Sequence, residues 1–254
     1  MIYFAAGILL IACYFLWPKK KVRLDEVVLD TIVNDNALTA HVLFYNKLSA
    51  GDKLRFQQEA KAFLNTVKIT GVDTTVTDMD RLMIASSAII PIFNFKGWRY
   101  YNLKEVLLYS DTIDMNFAST GEGRDILGMV GNGYMEGKML LSKPALETGF
   151  DNRSDKANTA IHEFVHLIDK MDGDTDGVPN LLMDKQYVQQ WINLIQQETE
   201  KIAKNESDIN PYAYTNKSEF FAVVSEYFFE RPELLESKHP ELYAMLLKIF
   251  QPAS

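Results

Sequence analysis

The sequence predicts an α+β fold in which helix outweighs strand, preceded by one N-terminal transmembrane helix. Three observations lead there. Apolar residues recur at helical spacing in six separated segments, two short apolar runs bounded by polar residues read as strands, and an uncharged stretch opens the chain.

Taking the elements in order, Ile2 to Trp17 carries no charge and is followed by Pro18-Lys19-Lys20-Lys21-Val22-Arg23. As a helix this run covers about 24 Å against a hydrocarbon core of roughly 30 Å, so spanning needs snorkelling lysines or a thinned bilayer. Basic residues lie after the run rather than before it, which argues against a cleaved secretory signal. It also assigns residues 1–18 to a single-pass anchor in the inner (cytoplasmic) membrane, with residues 19–254 facing the cytoplasm. The other reading is an apolar helix docked on the domain. Cys13 is the single cysteine, so no intramolecular disulfide forms.

Beyond the anchor, Leu54, Ala60, Phe63, Leu64 and Val67 share a helical face, and residues 77 to 90 form the next helix. Strands follow at Glu105 to Tyr109 and Lys138 to Ser142. Asn158 and Thr159 start a helix lined by Ile161, Phe164, Val165, Leu167 and Ile168. Tyr187, Val188, Trp191, Ile195 and Ile202 mark another, and residues 217 to 229 and 240 to 250 complete the set. No linker rich in Pro, Gly or Ser divides this stretch, so one domain is expected. A net charge of −8, with no basic stripe outside residues 19 to 23, excludes nucleic acid as a partner.

The helix opening at Asn158 contains His162-Glu163-Phe164-Val165-His166. Residues four apart stand one above the other on a helix, so both imidazoles can aim a nitrogen at one ion. Glu163 then lies beside the ion, free to act as general base toward the water it activates. The apolar surroundings strengthen the reading, because buried polar groups need partners and a metal supplies them. Two histidines do not hold catalytic zinc alone. The residues after His166 read Leu-Ile-Asp-Lys-Met-Asp, with no third histidine, so the missing ligand is a distant carboxylate. Glu219 and Glu226, seven apart on one helix face among aromatic and β-branched residues, both qualify, and spacing does not choose between them. Asn216 could also cap its helix with Glu219 as the reciprocal partner. Asp169, one turn beyond His166, and Glu226 are candidates to orient the imidazoles.

Several motifs resemble the zinc-dependent peptidases of the Mlc titration factor A family, whose gluzincin-type site is similar to that of the lethal-factor type of peptidase. They are His-Glu-Phe-Val-His-Leu-Ile-Asp at 162 to 169, Asp-Gly-Val-Pro at 176 to 179, Tyr-Ala-Tyr at 212 to 214, and Glu-Phe-Phe-Ala-Val-Val-Ser-Glu-Tyr-Phe-Phe at 219 to 229. Weaker likeness extends upstream through Gly97 to Tyr100 and Phe56 to Leu64. The resemblance implies a zincin-like metallopeptidase domain binding one Zn2+ through His162, His166 and Glu219. It also implies Glu163 as general base and Tyr212 as a phenol near the reacting carbonyl, with Tyr214 the local competitor. The implied partner is a peptide or protein substrate, cut as an aminopeptidase or an endopeptidase. An alternative reading is a regulatory binding protein that sequesters a transcriptional repressor. In a zincin-like arrangement an edge strand receives extended peptide, and Lys138 to Ser142 is the candidate.

Other motifs fail on their own terms. Asp172-Gly173-Asp174-Thr175-Asp176-Gly177 opens like a calcium loop, but Pro179 stands at position eight and Met183 at twelve, where a bidentate glutamate belongs. Ile126 and Glu136 stand where a dinucleotide fingerprint needs its third glycine. No Gly-x-Ser-x-Gly elbow occurs.

Overall fold

The computed structural model describes residues 24–152 and 155–251. In chain order these form α1 (Glu26–Ile32), α2 (Asp35–His41), α3 (Leu43–Asn46), α4 (Ala50–Thr66), β1 (Lys68–Val72), α5 (Asp78–Ile89), β2 (Glu105–Tyr109), β3 (Gly128–Val130) and β4 (Lys138–Ser142). The remainder is helical: α6 (Lys143–Asp151), α7 (Thr159–Asp169), α8 (Val188–Ala203), α9 (Lys217–Glu230), α10 (Pro232–Lys238) and α11 (Pro240–Phe250).

Local chemistry sets the helix starts. Ser49 accepts the Asp52 N–H and opens α4. Thr77 and Asp80 form a reciprocal capping box at α5. Asp80 is 1 % exposed and is tied to Lys143 at 2.9 Å, which joins the start of α5 to the start of α6.

The sheet runs β1-β2-β4-β3. The first three strands are parallel, and β3 closes one edge antiparallel to β4, with Met129 opposite Leu140. Val106, Leu108, Met139 and Leu141 face the helices and the main core. Tyr109 and Leu140 point the other way, under the connection carrying Ile113 and Ile126. With both faces covered, β4 reads as a continuous apolar run rather than an alternating one.

α7 lies between this sheet and the C-terminal helices, packed against β3 on one side and α9 on the other. Phe164 is fully buried, its ring 5.1 Å from Tyr100 and 5.7 Å from Phe63. On the far side Trp191 of α8 sits against Phe220 and Phe221 of α9, and its Nε1 donates to the Gly177 carbonyl at 2.6 Å. Each such buried side chain contributes roughly 1.5–3 kcal/mol, so the helix bearing the histidines is held by buried packing on both sides.

Two expectations are corrected. Among the described residues no helix is long and apolar enough to cross a membrane. Residues 2–17, where the transmembrane anchor was expected, lie outside the described residues, and the expected single-pass membrane location falls with the anchor. What the structure shows is a mixed α+β fold around a four-stranded sheet. The second correction concerns the edge. Lys138 to Ser142 is an interior strand, paired on both sides, and the edge near α7 is β3, whose three residues are too short for a periodic signal.

Candidate metal centre

α7 begins at Asn158, whose Oδ1 accepts the Ile161 N–H at 3.1 Å. One turn on, His162 and His166 stand with ring centroids 4.6 Å apart and Nε2 atoms 3.0 Å apart. α9 starts at Asn216, whose Oδ1 accepts the Glu219 N–H at 2.9 Å. The backbone of Glu219 therefore takes part in the cap, while its carboxylate turns to the histidines. Its Oε2 lies 3.0 Å from His162 Nε2 and 3.3 Å from His166 Nε2. Among the described residues, this is the one group of three or more such side chains able to hold a metal, with donor atoms within 4.8 Å of one another. Donors about 2.0–2.2 Å from a tetrahedral ion stand about 3.3 Å apart, and two imidazoles with one carboxylate leave a fourth position open, so the set fits catalytic zinc.

Both orienting candidates are placed. Glu226 accepts His162 Nδ1–H at 2.7 Å through one oxygen and the Asn158 N–H at 2.6 Å through the other. Glu219 and Glu226 thus flank the same ring, two helical turns apart. Asp169 accepts the Gly177 N–H in both oxygens, at 3.1 and 3.0 Å, and the Ser218 hydroxyl at 2.8 Å. It is Ser218 Oγ that lies 3.0 Å from His166 Nδ1. Burial raises the Asp169 carboxyl to about 6, which leaves it ionised at neutral pH.

Glu163 is 5 % exposed and sits under β3; a Cβ on Gly128 would fall 2.7 Å from its Cγ and 2.8 Å from its Oε1. Burial pushes its carboxyl up, opposed by the two neighbouring imidazoles. Tyr212 lies on the turn Pro211–Tyr214, half exposed, with its ring 6.1 Å from that of His162. Partial burial and the charges of Glu219 and Glu163 raise its phenol, keeping the hydroxyl protonated. These groups line a cleft of about 1080 Å³, floored by α7 and walled by β3 and by residues 210 to 219. Tyr212 and not Tyr214 lines it.

A model of the glucose-regulated metallo-peptidase M90 family matches residues 17–251. The chain belongs to this family. Among its relatives is the Mlc titration factor A of Enterobacter sp. (strain 638), 29% identical over 255 residues that cover 92% of this chain and 91% of that protein. The Mlc titration factor A of Klebsiella pneumoniae (strain 342) is 28% identical over 254 residues, covering 93% and 91%. An uncharacterised protein of Synechocystis sp. (strain ATCC 27184 / PCC 6803 / Kazusa) is 28% identical over 218 residues, covering 82% and 79%. The family resemblance read from the motifs thus extends over nearly the whole chain.

Ser218, Gly128 and Gly177 are site residues of this M90 chain that sequence reasoning missed. Gly177 holds φ +75°, and a Cβ there would come 2.2 Å from the Lys217 carbonyl oxygen, so only glycine lets this turn deliver its N–H to Asp169. The acidic turn is likewise structural. Asp172 accepts from Asn180, and Asp176 accepts the Val178 N–H.

The metal-free site carries a pH signature. Burial works against a charge on His162, but carboxylates on both its nitrogens raise it to about 10. Its folded pKa lies above the unfolded value of 6.5, so its contribution to stability is complete below 6.5 and is lost as pH rises through about 10. Glu219 is shifted oppositely: burial raises it, yet both histidines hold it at about 2, so its contribution disappears only in strong acid. The melting temperature of the chelator-treated chain is expected to fall across the alkaline window, and that of the zinc-loaded chain to stay level there, because the ion replaces the proton. Parallel melting curves with and without zinc would contradict this assignment.

Proposed function

We propose that this chain is a zinc-dependent peptidase that binds one Zn2+ through His162, His166 and Glu219. Glu163 serves as general base and Tyr212 as hydrogen-bond donor to the oxyanion. The observation that carries the reading is the convergence of three ligand atoms from two helices on a cleft floor, beside a buried carboxyl that is not one of them. Bound there, the ion would lower the pKa of a water toward about 7 and polarise a carbonyl.

The chain's own residues do the rest. Glu226 and Ser218 hold the two imidazoles from behind, leaving their Nε2 atoms turned to Glu219. Glu163, its carboxyl pushed up by burial, takes a proton from the attacking water and returns it to the leaving amine nitrogen, serving first as base and then as acid. The protonated phenol of Tyr212 donates to the oxygen on which negative charge develops.

Substrate registers on β3. Ser142 N–H bonds to Leu127 O and Gly131 N–H to Lys138 O, so Leu127 and Gly131 face β4. Bonded residues alternate in an antiparallel ladder, so Gly128 and Val130 turn their N–H and C=O groups to the open edge, where an extended peptide adds as a further strand over Glu163.

The relatives' name, Mlc titration factor A, supports a second reading, binding of a regulatory protein. Docking alone has no need of three converging ligands and a buried Glu163. Metal analysis combined with a digest of peptide libraries with free and with blocked N-termini separates the two. The peptidase reading expects about one zinc per chain and cleavage that a chelator stops and zinc restores. A chain that binds no metal, or cuts neither library when loaded, leaves docking. Which library is cut distinguishes aminopeptidase from endopeptidase.

A further inference from the structure

The two imidazoles of the site are held by different chemistry. His162 donates its Nδ1–H straight to a carboxylate, that of Glu226. Behind His166 stands a neutral hydroxyl, Ser218 Oγ, 3.0 Å from Nδ1, and behind that the carboxylate of Asp169 at 2.8 Å. A hydroxyl has one proton to give. Which way that proton points decides which nitrogen of His166 is protonated.

The surroundings of Asp169 decide it. The residue is fully buried, and both its oxygens receive the Gly177 N–H, an arrangement that suits an ionised, acceptor-only carboxylate. Such a group cannot donate, so the Ser218 proton must go to it. Ser218 Oγ is then left with lone pairs toward His166, and the short contact with Nδ1 requires Nδ1 to carry the hydrogen. We propose that Ser218 is a positioning residue: its proton committed to Asp169, its oxygen accepts from His166 Nδ1–H and so fixes the tautomer that presents an unprotonated Nε2 to the metal site. The inference concerns that same site and rests on the metal-binding reading above, but not on peptide cleavage.

The link also explains the fixed surroundings of Ser218. It is 6 % exposed, in the first turn of α9 directly before Glu219. Gly177, which shares Asp169 with it, is itself held by the Trp191 indole. A ligand from α9 and the support for a ligand on α7 are therefore neighbours in sequence, and a shift of the α9 start moves both.

The test uses Ser218→Ala and Ser218→Thr in the full chain. Zinc affinity, measured by competition with a chromophoric chelator, is expected to fall about 10–100-fold in Ser218→Ala and to recover in Ser218→Thr, which restores the hydroxyl. The tautomer of His166 is read independently by long-range 1H–15N correlation on 15N-histidine-labelled protein. In the neutral His166 ring of the metal-free wild type the hydrogen is expected on Nδ1; in Ser218→Ala it is expected to be shared between the two nitrogens. A wild-type His166 with the hydrogen on Nε2, or an alanine variant with unchanged tautomer and zinc affinity, overturns the proposal. Because the spectrum of the metal-free chain reports the tautomer without zinc, a chain that proves not to bind zinc would refute the proposed function and still leave this assignment decided.

Discussion

Glu163→Gln is expected to lower peptide cleavage by about 10²–10⁴-fold while the chain still binds about one zinc, the span that one positioned general base supplies. The separation of the two effects follows from the geometry. The group able to hold a metal consists of His162, His166 and Glu219, and Glu163 stands outside it on the adjacent helical position, directed at β3. Glutamine keeps the shape of the side chain and removes only its capacity to take up a proton, so the buried volume under Gly128 stays filled. Substituting Glu219 instead removes a ligand, and cleavage and metal are expected to disappear together. Zinc content and cleavage rate measured on the same preparation decide the matter. Cleavage that survives Glu163→Gln with metal bound would end the assignment of Glu163 as the base.

How far the site is legible in the sequence follows the range of the interactions. His162 and His166 lie on one helix, where a spacing of four fixes their relation whatever the rest of the fold does. The choice between Glu219 and Glu226 stays open in the sequence for a geometric reason: both lie on one face of α9 and both reach His162, one at Nε2 and the other at Nδ1. Spacing along a helix cannot tell which side of a ring from another helix each acid meets. Ser218 gives no signal, since its role depends on Asp169, 49 residues earlier in the chain.

The sheet behaves likewise. The runs Glu105 to Tyr109 and Lys138 to Ser142 are apolar enough to be seen, but strand order is a matter of pairing between distant segments. Sequence reading puts the edge at the strand Lys138 to Ser142, although burial on both faces is the mark of an interior strand. β3 contains only Gly128, Met129 and Val130 and takes its identity from its antiparallel partner. The transmembrane reading of residues 2–17 rests on an uncharged run, its length and the basic residues after it, and no described helix is able to cross a membrane.

Gly128→Ala is expected to lower kcat by about 10²-fold with little loss of stability and no loss of zinc, because a displacement of about 1 Å at a reacting group costs rate on that scale. The added methyl would lie 2.7 Å from Glu163 Cγ and 2.8 Å from Oε1, closer than real Cβ atoms come, with Cδ at 3.0 Å. What it meets is a side chain that can turn aside, not backbone, so the strain is relieved by moving the base rather than by opening the fold. The ligands on α7 and α9 are not in the way, and metal affinity is expected to stay at the wild-type value. Gly131→Ala provides the contrast within the same hairpin. Its methyl would fall 2.2 Å from the backbone oxygen of Met135, which cannot rotate away, so the expected effect is a lower melting temperature through a distorted turn. A kinetic defect in the first variant and a stability defect in the second would support Glu163 as the base and β3 as the strand that positions it. A Gly128→Ala chain with wild-type kcat would mean that Glu163 acts from some other position, and the placement of the peptide along β3 would fail with it.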